Sequence, residues 1–169
     1  PWVLEALDDA KARGLTLPVV YNTGGYETVE SVRALDGYVD VWLTDFKYAA
    51  PELAGRFSGA PLYDGEGFLQ RGVIVRHLAL PGCVQDSKAV LQTLARLRAA
   101  CGVPFLTSLM SQFTPFYKAA GHGLGRRITT YEYRQVVDEA VRLGLTDGYM
   151  QEKSSAREEY TPPFDLEGV

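Results

Sequence analysis

The chain has 169 residues, of which 46% are hydrophobic and 22% charged, and its formal net charge is −4. This length and composition predict a globular protein with a sizeable core. The negative charge argues against a nucleic-acid partner bound through its phosphates, and no apolar stretch approaches the length of a membrane span. With only two cysteines, Cys83 and Cys101, the chain has neither a disulfide framework nor a cysteine-rich metal site, and we expect a cytoplasmic protein.

The first half of the chain alternates between helical and strand-like apolar patterns. Residues 59–71 interrupt this alternation, because they contain Gly, Pro and Asp without periodicity and are typical of a loop. The elements predicted before this loop are helices over about 2–13, 27–35 and 51–57, and strands over 17–21 and 39–44.

The second half continues the alternation. Strands are predicted over 72–80, 103–110 and 147–151. The first long helix is predicted to begin at Asp86 or Ser87 and to run through Cys101. Thr129 or Thr130 is predicted to cap the last helix, with Glu132 near the capping-box position, and Gly144 is predicted to end it.

This alternation predicts an α/β fold with a parallel sheet and right-handed crossovers. The number of units suits a half or partial barrel, or an open sheet. We expect one domain over residues 1–152, followed by an extended C-terminal tail over 153–169. Because the helical pattern is already under way at Trp2, we interpret the chain as a piece of a longer protein.

Polar residues follow two successive predicted strands. Asn22 and Thr23 follow the first strand, and Asp45 and Lys47 follow the second. Ligands in parallel α/β folds bind outside the carboxyl ends of the strands. These residues are therefore the first candidates for a functional site.

Several motifs in order resemble the later part of radical S-adenosylmethionine (SAM) proteins. They are Val20-Tyr21-Asn22-Thr23-Gly24-Gly25-Tyr26-Glu27, Asp45-Phe46-Lys47-Tyr48, the run from Val73 to Gly82, and the run from Ser108 to Pro115. Together they are similar to homologs of the pyruvate formate-lyase-activating enzyme. The resemblance implies the C-terminal half of a TIM-like partial (β/α)6 barrel.

The resemblance also implies which residues contact SAM. Asn22 and Thr23 match a strand end beside the methionine part, although the activating enzyme has an aspartate where Asn22 stands. Lys47 matches a lysine near the SAM carboxylate, and Asp45 matches an aspartate that helps to hold a monovalent cation. Three further matched positions complete the implied cofactor-binding set: Arg76 on the third strand, and Gln112 and Phe113, which lie where the family closes over the adenosine.

The implied cofactors are SAM and a [4Fe–4S] cluster, which together generate a 5′-deoxyadenosyl radical. The family binds its cluster through a Cys-x3-Cys-x2-Cys loop, which this sequence does not contain. We expect that loop to lie upstream of Pro1, so this chain alone should not catalyse the reaction. The implied partners are a glycyl-radical-enzyme-like protein substrate and an electron donor such as flavodoxin or ferredoxin.

Two other interpretations stay open. The chain could be a non-catalytic α/β binding or interaction domain whose strand ends hold another anion or a protein. A complete phosphate-binding enzyme is less favoured, because no glycine-rich loop of phosphate-cradling spacing opens a helix.

Overall fold

The described part of the chain alternates strands and helices. In the computed structural model the described residues are 2–45, 62–102, 104–115 and 119–151. The helices are α1 (Trp2–Ala12), α2 (Val29–Ala34), α3 (Val84–Cys101) and α4 (Thr130–Arg142), with a 3₁₀ turn over Ala119–His122. The strands are β1 (Val20–Thr23), β2 (Val41–Asp45), β3 (Leu62–Tyr63), β4 (Leu69–Leu78), β5 (Leu106–Met110) and β6 (Gly148–Met150).

The strands form one six-stranded sheet in the order β1-β2-β4-β5-β6, with β3 attached to β4. All neighbours along this order pair in parallel, and only the β3–β4 pair is antiparallel. The predicted α/β fold with a mostly parallel sheet is therefore confirmed. The arrangement is consistent with a partial α/β barrel.

Helices α3 and α4 cover one face of the sheet. Side chains alternate between the faces of a strand, so Val73 and Val75 of β4 lie on the same face. Both are buried in a core formed with α3, α4 and the segments beside them. The buried members of this core are Val73, Val75, Ala79, Leu91, Leu94, Leu97, Phe105, Leu109, Ile128, Val136, Ala140 and Leu145.

The opposite face of the sheet carries a row of polar residues. The register pairs Asp45 with Arg76, and Arg76 with Ser108. Asn22 lies on the same face, because it pairs with Leu43, two residues before Asp45. In a barrel this face would line the interior.

Strand β1 covers Val20–Thr23, so the prediction of a strand over 17–21 is wrong at both ends, and Asn22 and Thr23 lie in the strand and not after it. The reason for the later start lies in Pro18 and Asp40. Pro18 has no N–H to donate, and the N–H of Val19 donates to the Asp40 carboxylate at 2.8 Å. The N–H of the residue before Val20 is therefore bound by the Asp40 side chain and not by the main chain of a neighbouring strand.

The loop prediction for 59–71 is wrong at Leu62–Tyr63 and from Leu69 onward, because these residues form the strands of a hairpin, and only 64–68 between them is a turn. Asp64 makes the turn, because its Oδ1 accepts from the N–H groups of Glu66 at 3.0 Å and Phe68 at 2.9 Å. This is an Asx-type turn, in which an aspartate side chain replaces a backbone acceptor.

The predicted cap of α3 is also wrong. The helix begins at Val84, and its N-cap is Cys83, which makes no side-chain capping hydrogen bond. Ser87 already lies in the first turn, where its N–H donates to the Cys83 carbonyl at 3.0 Å. By contrast, the capping box of Thr129 and Glu132 at α4 is confirmed.

Some predictions lie outside the described residues. They are the helix at 51–57, the tail at 153–169 and the position of Lys47. Within the described ranges, no helix has the length and apolar character needed to cross a membrane.

Candidate functional site

The candidate site is centred on Arg76, near the carboxyl end of β4. Its Nη2 donates to Asn22 Oδ1 at 2.7 Å and forms an ion pair with Asp45 Oδ1 at 2.6 Å. The side chains of Arg76 and Asp45 are 21% and 22% exposed. The structure thus brings together three of the predicted residues, from three adjacent strands, in a partly shielded position.

This cluster still has hydrogen-bonding capacity. Arg76 Nε is buried and has no hydrogen-bond partner among the described residues. Buried polar groups normally find a partner, and a ligand can supply one. A guanidinium beside a carboxylate can bind a carboxylate with its free donors and tolerate an ammonium near the acid.

Thr23 has a different environment from its neighbour Asn22. The Thr23 side chain is on the opposite face of β1, and the residue is 8% exposed. Its hydroxyl donates to the Glu27 carboxylate and accepts from the Gly25 N–H at 3.0 Å. The hydroxyl hydrogen is already used, so the Thr23 side chain has no hydrogen to donate to a ligand.

Glu27 was not singled out from the sequence, although it holds the turn after β1. It accepts from Thr23 and, at 3.5 Å, from the Tyr21 hydroxyl. Burial and the neighbouring Glu27 charge both raise the pKa of Tyr21, so Tyr21 stays a neutral donor. The four-residue spacing between Thr23 and Glu27 was the available signal in the sequence.

The turn after β1 also contacts the end of β2. Gly25 has a φ of +80°, and a Cβ atom there would lie 3.2 Å from both the Asp45 carbonyl oxygen and Thr44 Oγ1. Glycine allows this backbone conformation and the close approach. The Gly-Gly turn therefore packs directly beside the strand end that carries Asp45.

A second polar group lies where β5 and β6 end. Gln112 is exposed and Phe113 is half-buried. Gln112 Oε1 accepts from Gln151 Nε2 at 2.9 Å, and Gln151 Oε1 accepts from the Ser111 N–H at 3.0 Å. The sequence did not point to Gln151, because a single glutamine after a short strand carries no motif.

The two polar groups lie on the same edge of the sheet, some distance apart. Ser108 pairs with Arg76, and Gln112 follows Ser108 in the chain after the end of β5. The end of β5 at Met110 is two residues, about 7 Å, beyond Ser108, and Gln112 is two residues further along the chain, so the edge offers an elongated site with a charged end and an amide end. Lys47 follows β2 at this same edge in sequence, but its position lies outside the described residues.

Within the described residues, no group of three or more His, Cys, Asp or Glu side chains is placed to hold a metal ion. What this part of the chain does offer is a set of polar groups suited to an organic ligand: Asn22, Asp45, Arg76 and Gln112.

No protein-family model matches the chain. It is similar to the uncharacterized protein MJ0674 of the archaeon Methanocaldococcus jannaschii, with 29% identity over 154 residues that cover 86% of this chain. The chain spans 44% of the length of that curated relative. The similarity therefore links most of this chain to part of a much longer protein.

Proposed function

We propose that this chain is the C-terminal half of a radical SAM partial barrel and that it binds SAM along the carboxyl edge of its sheet. The observation that carries the proposal is the Arg76 guanidinium, which contacts Asn22 and Asp45 from adjacent parallel strands. The sequence motifs favour the same residues independently, because a motif match does not depend on where the residues lie in the fold.

SAM matches the charges at the Arg76 end. Its carboxylate suits the free donors of Arg76 and, in this proposal, the ammonium of Lys47. In this proposal the carboxylate of Asp45 offsets the positive charges of the SAM ammonium and sulfonium. The buried Arg76 Nε–H, without a partner among the described residues, supports a ligand acceptor at this place.

The [4Fe–4S] cluster does not fit this chain. Cluster ligation requires cysteine thiolates, and the two cysteines of the sequence stand at opposite ends of α3. In this proposal the cluster ligands belong to another part of the intact protein. The cofactors supply the radical chemistry, while the residues of this chain bind and orient SAM.

The experiment uses the intact gene product, purified anaerobically and reconstituted with iron and sulfide. We expect a brown protein whose absorption decreases with dithionite and which releases 5′-deoxyadenosine from SAM. Asp45→Asn should reduce this release, whereas Asp36→Asn, an exposed substitution after α2, should not.

A colourless protein that does not bind SAM would overturn the proposal. It would favour a non-catalytic α/β binding domain whose strand ends hold another ligand. The protein substrate and the flavodoxin-like or ferredoxin-like electron donor are parts of the same proposal, and they would be tested only after SAM cleavage is established.

A further inference from the structure

Gln151 connects the ends of β5 and β6 through both ends of its side chain. Its Oε1 accepts from the Ser111 N–H at 3.0 Å, and its Nε2 donates to Gln112 Oε1 at 2.9 Å. Its main-chain N–H donates to the Leu109 carbonyl at 3.1 Å. Gln151 and its bond to Ser111 are partly buried, whereas its bond to Gln112 is exposed.

Tyr133 of α4 supports the same residue from the helix side of the sheet. Its hydroxyl donates to the Leu109 carbonyl at 2.8 Å and accepts from the Gln151 N–H at 3.2 Å. Burial raises the pKa of Tyr133, which keeps the hydroxyl protonated and able to donate. Gln151 is therefore held by groups outside the candidate site.

The fixed orientation of Gln151 determines which end of the Gln112 amide faces outward. A backbone N–H can only donate, so the Gln151 atom facing Ser111 must be its oxygen, and its nitrogen must face Gln112. The Gln112 atom that receives this nitrogen must then be its oxygen. Among the described residues, the Gln112 nitrogen has only a weak contact, with Met110 Sδ at 3.9 Å.

We propose that Gln151 is a positioning residue that makes Gln112 a hydrogen-bond donor toward a ligand on the carboxyl edge of the sheet. The matching ligand group is an uncharged acceptor at some distance from the charged Asn22–Asp45–Arg76 cluster. The identity of this group rests on the proposed function. Because the amino-acid end of SAM pairs with the charged Asn22–Asp45–Arg76 cluster, the acceptor that matches Gln112 belongs to the SAM nucleoside.

The first test exchanges which end of the Gln112 amide, nitrogen or oxygen, faces the ligand, and it truncates no side chain. In Gln151→Glu, one carboxylate oxygen still accepts from the Ser111 N–H, but the other faces Gln112. Gln112 must then turn its nitrogen inward, so its oxygen faces the ligand. Measured by calorimetry on the intact protein, SAM affinity should fall about tenfold, the value of one well-placed hydrogen bond.

The matched variants separate positioning from general disruption. Gln112→Glu keeps the acceptor for Gln151 Nε2 and presents an outward oxygen, so it should lower affinity by a similar factor. In a Gln112→Ala background, Gln151→Glu should change affinity by less than about twofold, because the residue through which it acts is gone. Gln85→Glu adds the same charge in the exposed first turn of α3 and should leave affinity unchanged.

A loss of affinity with Gln151→Glu that persists in the Gln112→Ala background would overturn the proposal, as would unchanged affinity in both Gln151→Glu and Gln112→Glu. If Gln151→Glu does not fold, Gln112→Glu still tests the donor role of Gln112 on which the proposal depends, and unchanged affinity in that variant overturns the proposal. Gln112 is exposed, so this substitution should not disturb the fold.

A ligand-free measurement keeps this inference separate from the proposed function. In protein with ¹⁵N-labelled glutamine, the Gln112 side-chain amide resonance should shift when Gln151→Glu supplies a charged acceptor, and should not shift in Gln85→Glu. A stationary Gln112 resonance overturns the positioning role. If the resonance shifts but wild-type protein fails to bind SAM, the positioning role stands and the SAM proposal fails.

Discussion

Arg76 is the residue on which the candidate site depends most directly. It contacts Asn22, which is 54 positions earlier in the sequence, and it pairs in register with Asp45. A strand residue reaches such partners only when β1, β2 and β4 are assembled in the correct order. The site is therefore present only in the folded sheet.

Replacing Arg76 should weaken both the site and the fold. In Arg76→Ala, Asn22 and a largely shielded Asp45 lose a charged partner, so we expect a loss of about 1–2 kcal/mol in unfolding free energy. SAM affinity should fall about tenfold or more. Arg76→Lys keeps the charge but cannot reach both partners with one planar group, so it should recover stability better than affinity.

Chemical denaturation and calorimetry on the intact protein measure these two effects. Arg71→Ala, at an exposed position nearer the amino end of the same strand, is the control and should leave SAM affinity unchanged. Full SAM affinity in Arg76→Ala would contradict the role given to this residue.

The second prediction at the residue scale concerns Lys47. Its motif places a positive charge just beyond Asp45, so Lys47→Ala should weaken SAM binding in the intact protein by removing a partner of the carboxylate. Lys11→Ala, at the end of α1, tests for a general effect of lost charge. Equal SAM affinity in Lys47→Ala and wild type would exclude the proposed contact.

At the scale of elements, the start of α4 is joined to the loop after β4 by one carboxylate. Glu132 accepts from both terminal nitrogens of Arg126 at 2.7 Å and from the Gly82 N–H at 2.9 Å. It also closes the capping box with Thr129. These donors, Arg126 above all, hold the pKa of Glu132 far below its usual range.

This depressed pKa predicts a dependence of stability on pH. Glu132 binds a proton less readily when folded than when unfolded, so its stabilisation is present above its unfolded pKa of about 4.3. It is lost as the pH falls toward the folded pKa. Glu139 acts in the same direction, because hydrogen bonds from Arg142 and Gln92 lower its pKa to about 2.

The measurement is the urea midpoint at a series of pH values from 7 to about 3. We expect the midpoint to fall below about pH 5. Glu132→Gln should be less stable at pH 7 and should show a shallower decline, whereas Glu5→Gln, an exposed change on α1, should follow wild type. A decline of unchanged steepness in Glu132→Gln would show that Glu132 does not contribute to it.

Elements defined by contacts between residues close in the sequence were predictable, and elements defined by contacts between distant residues were not. The capping box of α4 joins residues three positions apart, so Thr129 and Glu132 were identifiable in the sequence. The start of β1 depends on the Asp40 side chain, 21 positions after Val19, and was misplaced. The hairpin that begins at Leu62 was missed, because its turn depends on one aspartate side chain and its strand residues show no periodic pattern.

At the scale of the whole molecule, the described sheet has two apolar borders. Among the described strands, β1 pairs only with β2, and β6 pairs only with β5. Val20 on β1 is 55% exposed and Tyr149 on β6 is 52% exposed. Unpaired edges with exposed apolar residues favour pairing with another chain.

We therefore expect the isolated 169-residue chain to self-associate. Sedimentation over a concentration series should show species larger than a monomer. Val20→Lys should shift the distribution toward monomer, since an edge lysine disfavours strand pairing. Ala99→Lys, exposed on α3, is the matched control. A monomer at all concentrations, with a high melting temperature, would contradict the prediction.

The sequence was enough to predict the alternation of strands and helices, the parallel sheet and the polar strand ends at Asn22 and Asp45. These features depend on local periodicity and on the rule that parallel strands end at one edge. The folded arrangement was needed to see that Arg76 joins those two residues, that the Thr23 hydroxyl donates to Glu27, and that Gln151 donates to Gln112. These contacts depend on strand register and on the face to which each side chain points, and both are set by the packing of the whole sheet against its helices.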